Sequence, residues 1–217
     1  MLKALFGLDD RSSLVDSAFN DVGVMLQQSA KMLELSVAVL LENAQLEVDL
    51  DSMDDVVDES ERMIRRTILQ HLSVNPKQDL VASLILISMV QDAERIGDFA
   101  RGLAELVRFA KRPRSGPFAE ELLEHSKMLP AMFEATEKAF RDDDIKLAMK
   151  VINAHRELKP NLTDFTERVA ESDLTADMAI VYAAGAKIFR RIGAHLANIC
   201  STVIQPFDRI RHGDESA

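Results

Sequence analysis

Cysteine occurs once in this chain, at Cys200, which excludes an internal disulfide and any cysteine-rich zinc site. Its neighbours are apolar and helical in pattern, so the thiol is expected to be buried and inert. No glycine-rich phosphate loop, nucleophile elbow or Cys/His pair is present. A ferritin-like di-metal oxidase needs Glu-x-x-His on helices that face one core. The residues three before His71, His125, His155, His195 and His212 are Ile68, Leu122, Ile152, Ile192 and Arg209, so that motif is missing as well. These absences argue against an enzyme. Positive charge is also scarce: 26 Lys and Arg against 36 Asp and Glu give a formal charge of −10, whereas a nucleic-acid binder carries a basic face. Tryptophan is absent, tyrosine occurs once, and only 8 glycines and 6 prolines interrupt 217 residues rich in Leu, Ala, Met, Glu and Asp. Helices are the expected building material. The apolar segment in Met1–Asp10 is too short for a signal peptide and runs into Asp9 and Asp10. A soluble, cytoplasmic protein without membrane insertion is expected.

Long hydrophobic runs are few, and the chain is organised on one of them. Leu80 to Val90 is apolar almost throughout and passes without a turn residue into Gln91-Asp92-Ala93-Glu94-Arg95-Ile96-Gly97-Asp98-Phe99-Ala100. A bilayer crossing takes about 20 residues, so this run reads as a buried core helix. At its charged end Glu94 and Asp98 share a face, and Gly97 leaves room for a neighbouring helix. The pattern recurs: Met178 to Ala186 is followed by Lys187-Ile188-Phe189-Arg190-Arg191-Ile192-Gly193-Ala194-His195. Laying Gly97 on Gly193 pairs Arg95 with Arg191 and Ile96 with Ile192, which implies a duplicated unit of about 100 residues.

Glu94-Arg95-Ile96-Gly97-Asp98 with Phe99-Ala100, and Arg191-Ile192-Gly193-x-His195-x-x-Asn198-Ile199, resemble the two "ERIGDHAxNI" signatures of PhoU proteins. The resemblance covers nearly the whole chain. It implies an all-α fold of two tandem three-helix-bundle repeats, six helices in all, related by an approximate two-fold.

The expected boundaries follow from the chain's punctuation. A first helix capped by Ser12 or Ser13 runs to about Asn43, and a second starts at Asp51 or Ser52 and ends near Leu72. The central helix follows Ser73-Val74-Asn75-Pro76 and spans about Asp79 to Ala110. Residues 1–111 then form the first repeat, 112–117 a Pro/Gly linker, 118–206 the second repeat and 207–217 a disordered tail. The linker's cations follow a helix C-terminus, where they complement its dipole. In the second repeat a fourth helix covers about Phe118 to Phe140, and a fifth follows Asp142-Asp143-Asp144 and is kinked or interrupted at Pro160. The sixth runs from about Thr175 to Gln205 and stops at Pro206.

Nine acids and no base lie between Glu42 and Glu61. Two carboxylate pairs at i, i+4 spacing fall on adjacent helices of the first repeat: Asp54 with Asp58, and Glu94 with Asp98. Like charges so spaced cost a helix about 0.2–0.5 kcal/mol per pair. Either Arg62, Arg65 and Arg95 neutralise them on a solvated face, or a multivalent cation does. The PhoU resemblance implies the second reading, because the family's metal-binding motif is an acidic residue, three others, then Asp, on both helices. Oxygen ligands suit iron, manganese, magnesium or calcium, with zinc a further candidate. In the second repeat the equivalent positions carry His155, Lys159, Arg190 and Ala194, so a second cation cluster is not expected there. His195 is expected to pack or hydrogen-bond. The resemblance further implies a homo-oligomeric negative regulator of phosphate uptake, an adaptor between the ATPase of the phosphate ABC transporter and the phosphate sensor histidine kinase. The alternative from the residues is a carboxylate-bridged metal-binding or storage bundle.

Overall fold

A computed structural model describes residues 13–45 and 48–205. The N-terminal segment, Ser12, Glu47, Pro206 and the expected disordered tail lie outside the described residues. Those residues are helical, with no strand among them. The first triplet comprises α1 (Ser13–Leu41), α2 (Leu50–Val74) and α3 (Leu80–Glu105), the last continued by a 3-10 turn over Leu106–Phe109. The second group has four helices: α4 (Pro117–Ser126), α5 (Met128–Asp142), α6 (Ile145–Ala170) and α7 (Ala176–Ile204).

Local chemistry accounts for the places where helix ends depart from expectation. The cap of α2 is Asp49, not Asp51 or Ser52: its carboxylate accepts from the Asp51 amide at 3.0 Å and the Ser52 hydroxyl at 2.8 Å. The expected fourth helix is two helices, α4 and α5, with a break at Lys127. Pro130 has no N–H to give the carbonyl of Ser126, so the ladder fails one turn before the proline. Pro160, by contrast, does not interrupt α6, which runs through it. Pro160 and Arg156 both lie on the exposed face, where water can serve the carbonyl that the proline leaves unbonded. Asp144 caps α6 as the acidic turn suggested, accepting from the amides of Lys146 and Leu147 at 2.8 and 3.1 Å.

The linker is pinned to the bundle. The guanidinium of Arg114 donates to the carbonyls of Leu40 and Val39, both at 2.6 Å, at the C-terminal end of α1. Asn43 and the backbone of Arg114 exchange two more hydrogen bonds. The linker cation therefore serves the last turn of α1 rather than its own preceding helix. Gly116, at φ +85, turns the chain into α4, whose first residue is Pro117.

The two apolar runs lie at the centre. Helix α3 packs against α1, α2 and α7, and α7 packs against α5, α6 and α3. Met89, Ile96, Leu103, Tyr182 and Phe189 are almost wholly buried in one continuous core that draws on both groups. The segment Ser17–Leu41 of α1 is long and apolar enough to cross a membrane by length and composition. Here its apolar stripe, from Phe19 through Met25 and Met32 to Leu40, is buried in the bundle. Cys200 is buried as well, and burial pushes its thiol up to about 12, which keeps it inert at neutral pH.

The duplication is visible in how the glycines are used. A Cβ built on Gly97 would lie 3.3 Å from Val57 Cγ1 and 3.4 Å from Asp54 Oδ1. One built on Gly193 would lie 3.2 Å from His155 Nδ1 and 3.3 Å from Leu158 Cδ2. Val57 and Leu158 thus face equivalent glycines, as do Asp54 and His155. Even a methyl at either crossing would press its neighbours back by a few tenths of an ångström. Gly97→Leu should lower stability by about 1–3 kcal/mol through overpacking, read as a lower urea midpoint; an unchanged midpoint would show that α2 and α3 are not in close contact there.

Candidate functional site

Helices α2 and α3 run side by side, and their facing acids form the site. Asp54 lies deepest, only 9 % exposed, because its helix presses against Gly97. Asp58, Glu94 and Asp98 are half-buried around it. Glu61 and Asp51, on the same side of α2, extend the cluster. Its charges are felt mutually: burial, then Asp98, push the Glu94 carboxyl up to about 7 against the pull of Arg95, with Glu61 and Asp58 adding to the rise. Burial also raises the Asp54 carboxyl, with Asp98 and Asp58 contributing, although Arg101 opposes the shift.

Arg101 is the residue that the sequence reading missed. Its Nε donates to Asp54 Oδ2 at 2.6 Å, and its Nη1 to Glu105 at 3.0 Å. The same guanidinium lies 3.7 Å from Asp98 and 3.5 Å from Asp51. The signal was available, since Arg101 stands one turn beyond Asp98 and two beyond Glu94 on the same face of α3. The expected arginines are present but peripheral. Arg62 reaches Asp58 at 3.5 Å, Arg65 reaches Glu61 at 2.7 Å, and Arg95 reaches Asp98 and Glu94 at 3.5 and 3.7 Å.

The four expected ligands are therefore brought together on one face, yet not around one point. Among the described residues no group of three or more His, Cys, Asp or Glu side chains is arranged to hold a metal ion. The donors fit a hard cation in kind, being carboxylate oxygens. In arrangement, Arg101 supplies the positive charge at Asp54.

A second polar centre joins the repeats. His195 Nδ1 lies 2.7 Å from Asp92 Oδ1, and Asn198 Nδ2 donates to the same oxygen at 3.2 Å. Asp92, 5 % exposed, sits on α3 and its two partners on α7. Phe99 faces His195 with ring centroids 5.6 Å apart, and Arg191 lies over Phe99 at 5.4 Å. The hydrogen-bonding role expected of His195 is the one observed. Asp92 was overlooked because an acid next to an apolar run gives no sign of a partner 103 residues away.

The PhoU domain family model matches residues 22–107, the stretch that holds α1's core half, all of α2 and α3, and the carboxylate cluster. Over that stretch the chain is similar to the PhoU domain. A relative, the phosphate-specific transport system accessory protein PhoU homolog 1 of Thermotoga maritima, is 29 % identical over 160 residues, 70 % of this chain and 68 % of that protein. Two crystal structures share the fold. PhoU from Pseudomonas aeruginosa superposes with a TM-score of 0.78 at 19 % identity, over 88 % of this chain and 96 % of that one. The phosphate transport system regulatory protein PhoU from Streptococcus pneumoniae gives 0.73 at 18 %, over 88 % and 91 %. The all-helical fold of these PhoU structures is thus the fold of this chain.

The state of Glu94 has a measurable consequence. A carboxyl whose folded pKa is raised to about 7 from 4.5 favours the fold while protonated, below the unfolded value. That contribution is lost as pH rises from about 4.5 through 7. In metal-free buffer Glu94→Gln should match the parent at pH 4 and exceed it at pH 8 by roughly 1–2 kcal/mol, allowing for screening at a half-buried group. Chemical denaturation at the two pH values checks this, and a gap that does not change with pH would refute the repulsion.

Proposed function

We propose that this chain is a regulatory accessory of phosphate uptake, acting through partners and without catalysis of its own. The observation that carries the reading is the family match over the stretch that contains the carboxylate cluster, together with relatives named for phosphate transport. In this reading the protein works in the cytoplasm as a homo-oligomer. It docks on the ATPase of the phosphate ABC transporter and on the phosphate sensor kinase, and holds the starvation response off when phosphate is plentiful. Deleting the gene should derepress phosphate-starvation genes in phosphate-rich medium; an unchanged transcript profile would remove this reading.

The same proposal includes a metal ion of the first repeat, with Asp54, Asp58, Glu94 and Asp98 as the residues that would hold it. What supports it is the rise of the Glu94 carboxyl, caused by burial and then by its acidic neighbours, and the oxygen-only donor set. A bound cation would supply charge neutralisation and tie α2 to α3. Arg101 competes for the same carboxylate, since a guanidinium and a cation cannot both neutralise Asp54. Mass spectrometry of protein purified without chelator should find metal in the parent and in Lys159→Ala/Arg190→Ala, and little in Asp54→Asn/Glu94→Gln. Arg101→Ala should bind the metal more tightly than the parent. Equal metal content in all four proteins would reject a site at these carboxylates.

A further inference from the structure

Helix α2 carries nine Asp, Glu and Arg among its 25 residues, yet one face of it has none. Val56, Ser60, Met63, Thr67, Gln70 and Val74 follow one another at alternating steps of four and three, the spacing of a coiled-coil seam. At about 100° per residue they all stay within about 40° of one line along the helix. The chain's own helices leave this line uncovered: Val56, Met63 and Val74 are 54 %, 58 % and 78 % exposed. Ser60 gives its hydroxyl to the Val56 carbonyl at 2.8 Å, so the seam asks for no polar partner there. Asp54 and Asp58, which turn to α3, project about 160° away from Val56 around the helix. The seam and the carboxylate cluster therefore lie on different sides of α2.

The charges beside the seam say what covers it. On one flank Val57, Ile64 and His71 are buried within the bundle. On the other, Glu59 and Arg66 occupy equivalent positions one heptad apart, both exposed. Arg66 makes no ion pair among the described residues. Glu59 lies 3.4 Å from Arg62, an exposed contact of little worth. A second copy laid antiparallel along the seam brings Glu59 of each copy against Arg66 of the other, twice about one two-fold axis. A parallel copy would bring like charges to the same level instead. The order of the charges along α2 thus complements α2 itself, run the other way.

We infer that the uncharged seam of α2 is the surface through which two copies of this chain pair, antiparallel about a two-fold axis next to Met63. Burial of Val56, Met63 and Val74 drives the association, and the crossed Glu59 and Arg66 contacts set its direction. Because Asp54 and Asp58 turn away from the seam, pairing leaves the carboxylate cluster of each copy uncovered. The inference rests on the homo-oligomeric part of the proposed reading and names the surface that makes it.

Sedimentation equilibrium of the full chain tests it. The parent should show a monomer–dimer equilibrium in the micromolar range, and Met63→Lys, at a side chain exposed in the single chain, should weaken it by at least about tenfold. Glu59→Arg and Arg66→Glu each set like charges together twice, so each should weaken pairing by about tenfold, while Glu59→Arg/Arg66→Glu should return it to within about threefold of the parent. That rescue is particular to the antiparallel register. Since Cys200 is buried, Met63→Cys should give a disulfide-linked dimer on mild oxidation, whereas Ile180→Cys, exposed on α7, should not. A chain monomeric throughout that range, a dimer equally tight in Met63→Lys, no rescue in the reversed pair, or cross-linking as fast at position 180 as at 63 would overturn the surface. None of these results bears on the transcript profile of the deletion strain, so the regulatory reading fails separately.

Discussion

The close crossing of α2 over Gly97, and of α6 over Gly193, is the constraint from which the rest of the molecule follows. A Cβ at either glycine would sit 3.2–3.4 Å from side-chain atoms of the crossing helix, tighter than ordinary van der Waals contact. Glycine costs a helix interior about 1 kcal/mol relative to alanine, and here that cost is offset by the packing that closeness allows. Closeness in turn dictates which residues face one another. Asp54 is buried because the backbone beside it has no side chain, and its carboxylate must then find a cation. Arg101 is that cation in the first repeat. In the second, His155 takes the same place, and the demand for a cation disappears with the carboxylate.

The sequence disclosed this frame to a considerable depth, for a physical reason. Buried helices read as apolar runs, and a duplication whose two copies end in Arg-Ile-Gly fixes the register of both central helices. The equivalence of Asp54 and His155, drawn at an offset different from that of the glycines, is matched by the glycine contacts. What stayed hidden depended on direction or on distant partners. Asp49 rather than Asp51 caps α2 because capping depends on which carboxylate points back at the helix. Pro130 broke a helix that Pro160 did not, and composition alone does not separate a proline served by water from one that is not. Arg101 was legible by spacing, but a cation among acids was read at the i+1 neighbour, Arg95, before the residue two turns on.

Joining the repeats at Asp92, His195 and Asn198 has a further consequence for how the halves communicate. A carboxylate 5 % exposed is costly unless bonded, and both of its observed partners come from the other repeat. Among the described residues one such centre is formed, because the position of α3 that corresponds to His195 is Phe99 and the one that corresponds to Asn198 is Gly102. The contact is therefore polar in one direction and aromatic in the other, with Arg191 over the Phe99 ring. Asp92 is two residues from Glu94 on the same helix, so the acidic face and the inter-repeat joint share a rigid element. A duplicated fold with identical halves would have no such bias. Here the first repeat places carboxylates where the second carries His155, Lys159, Arg190 and Ala194, and the joint between them is itself asymmetric.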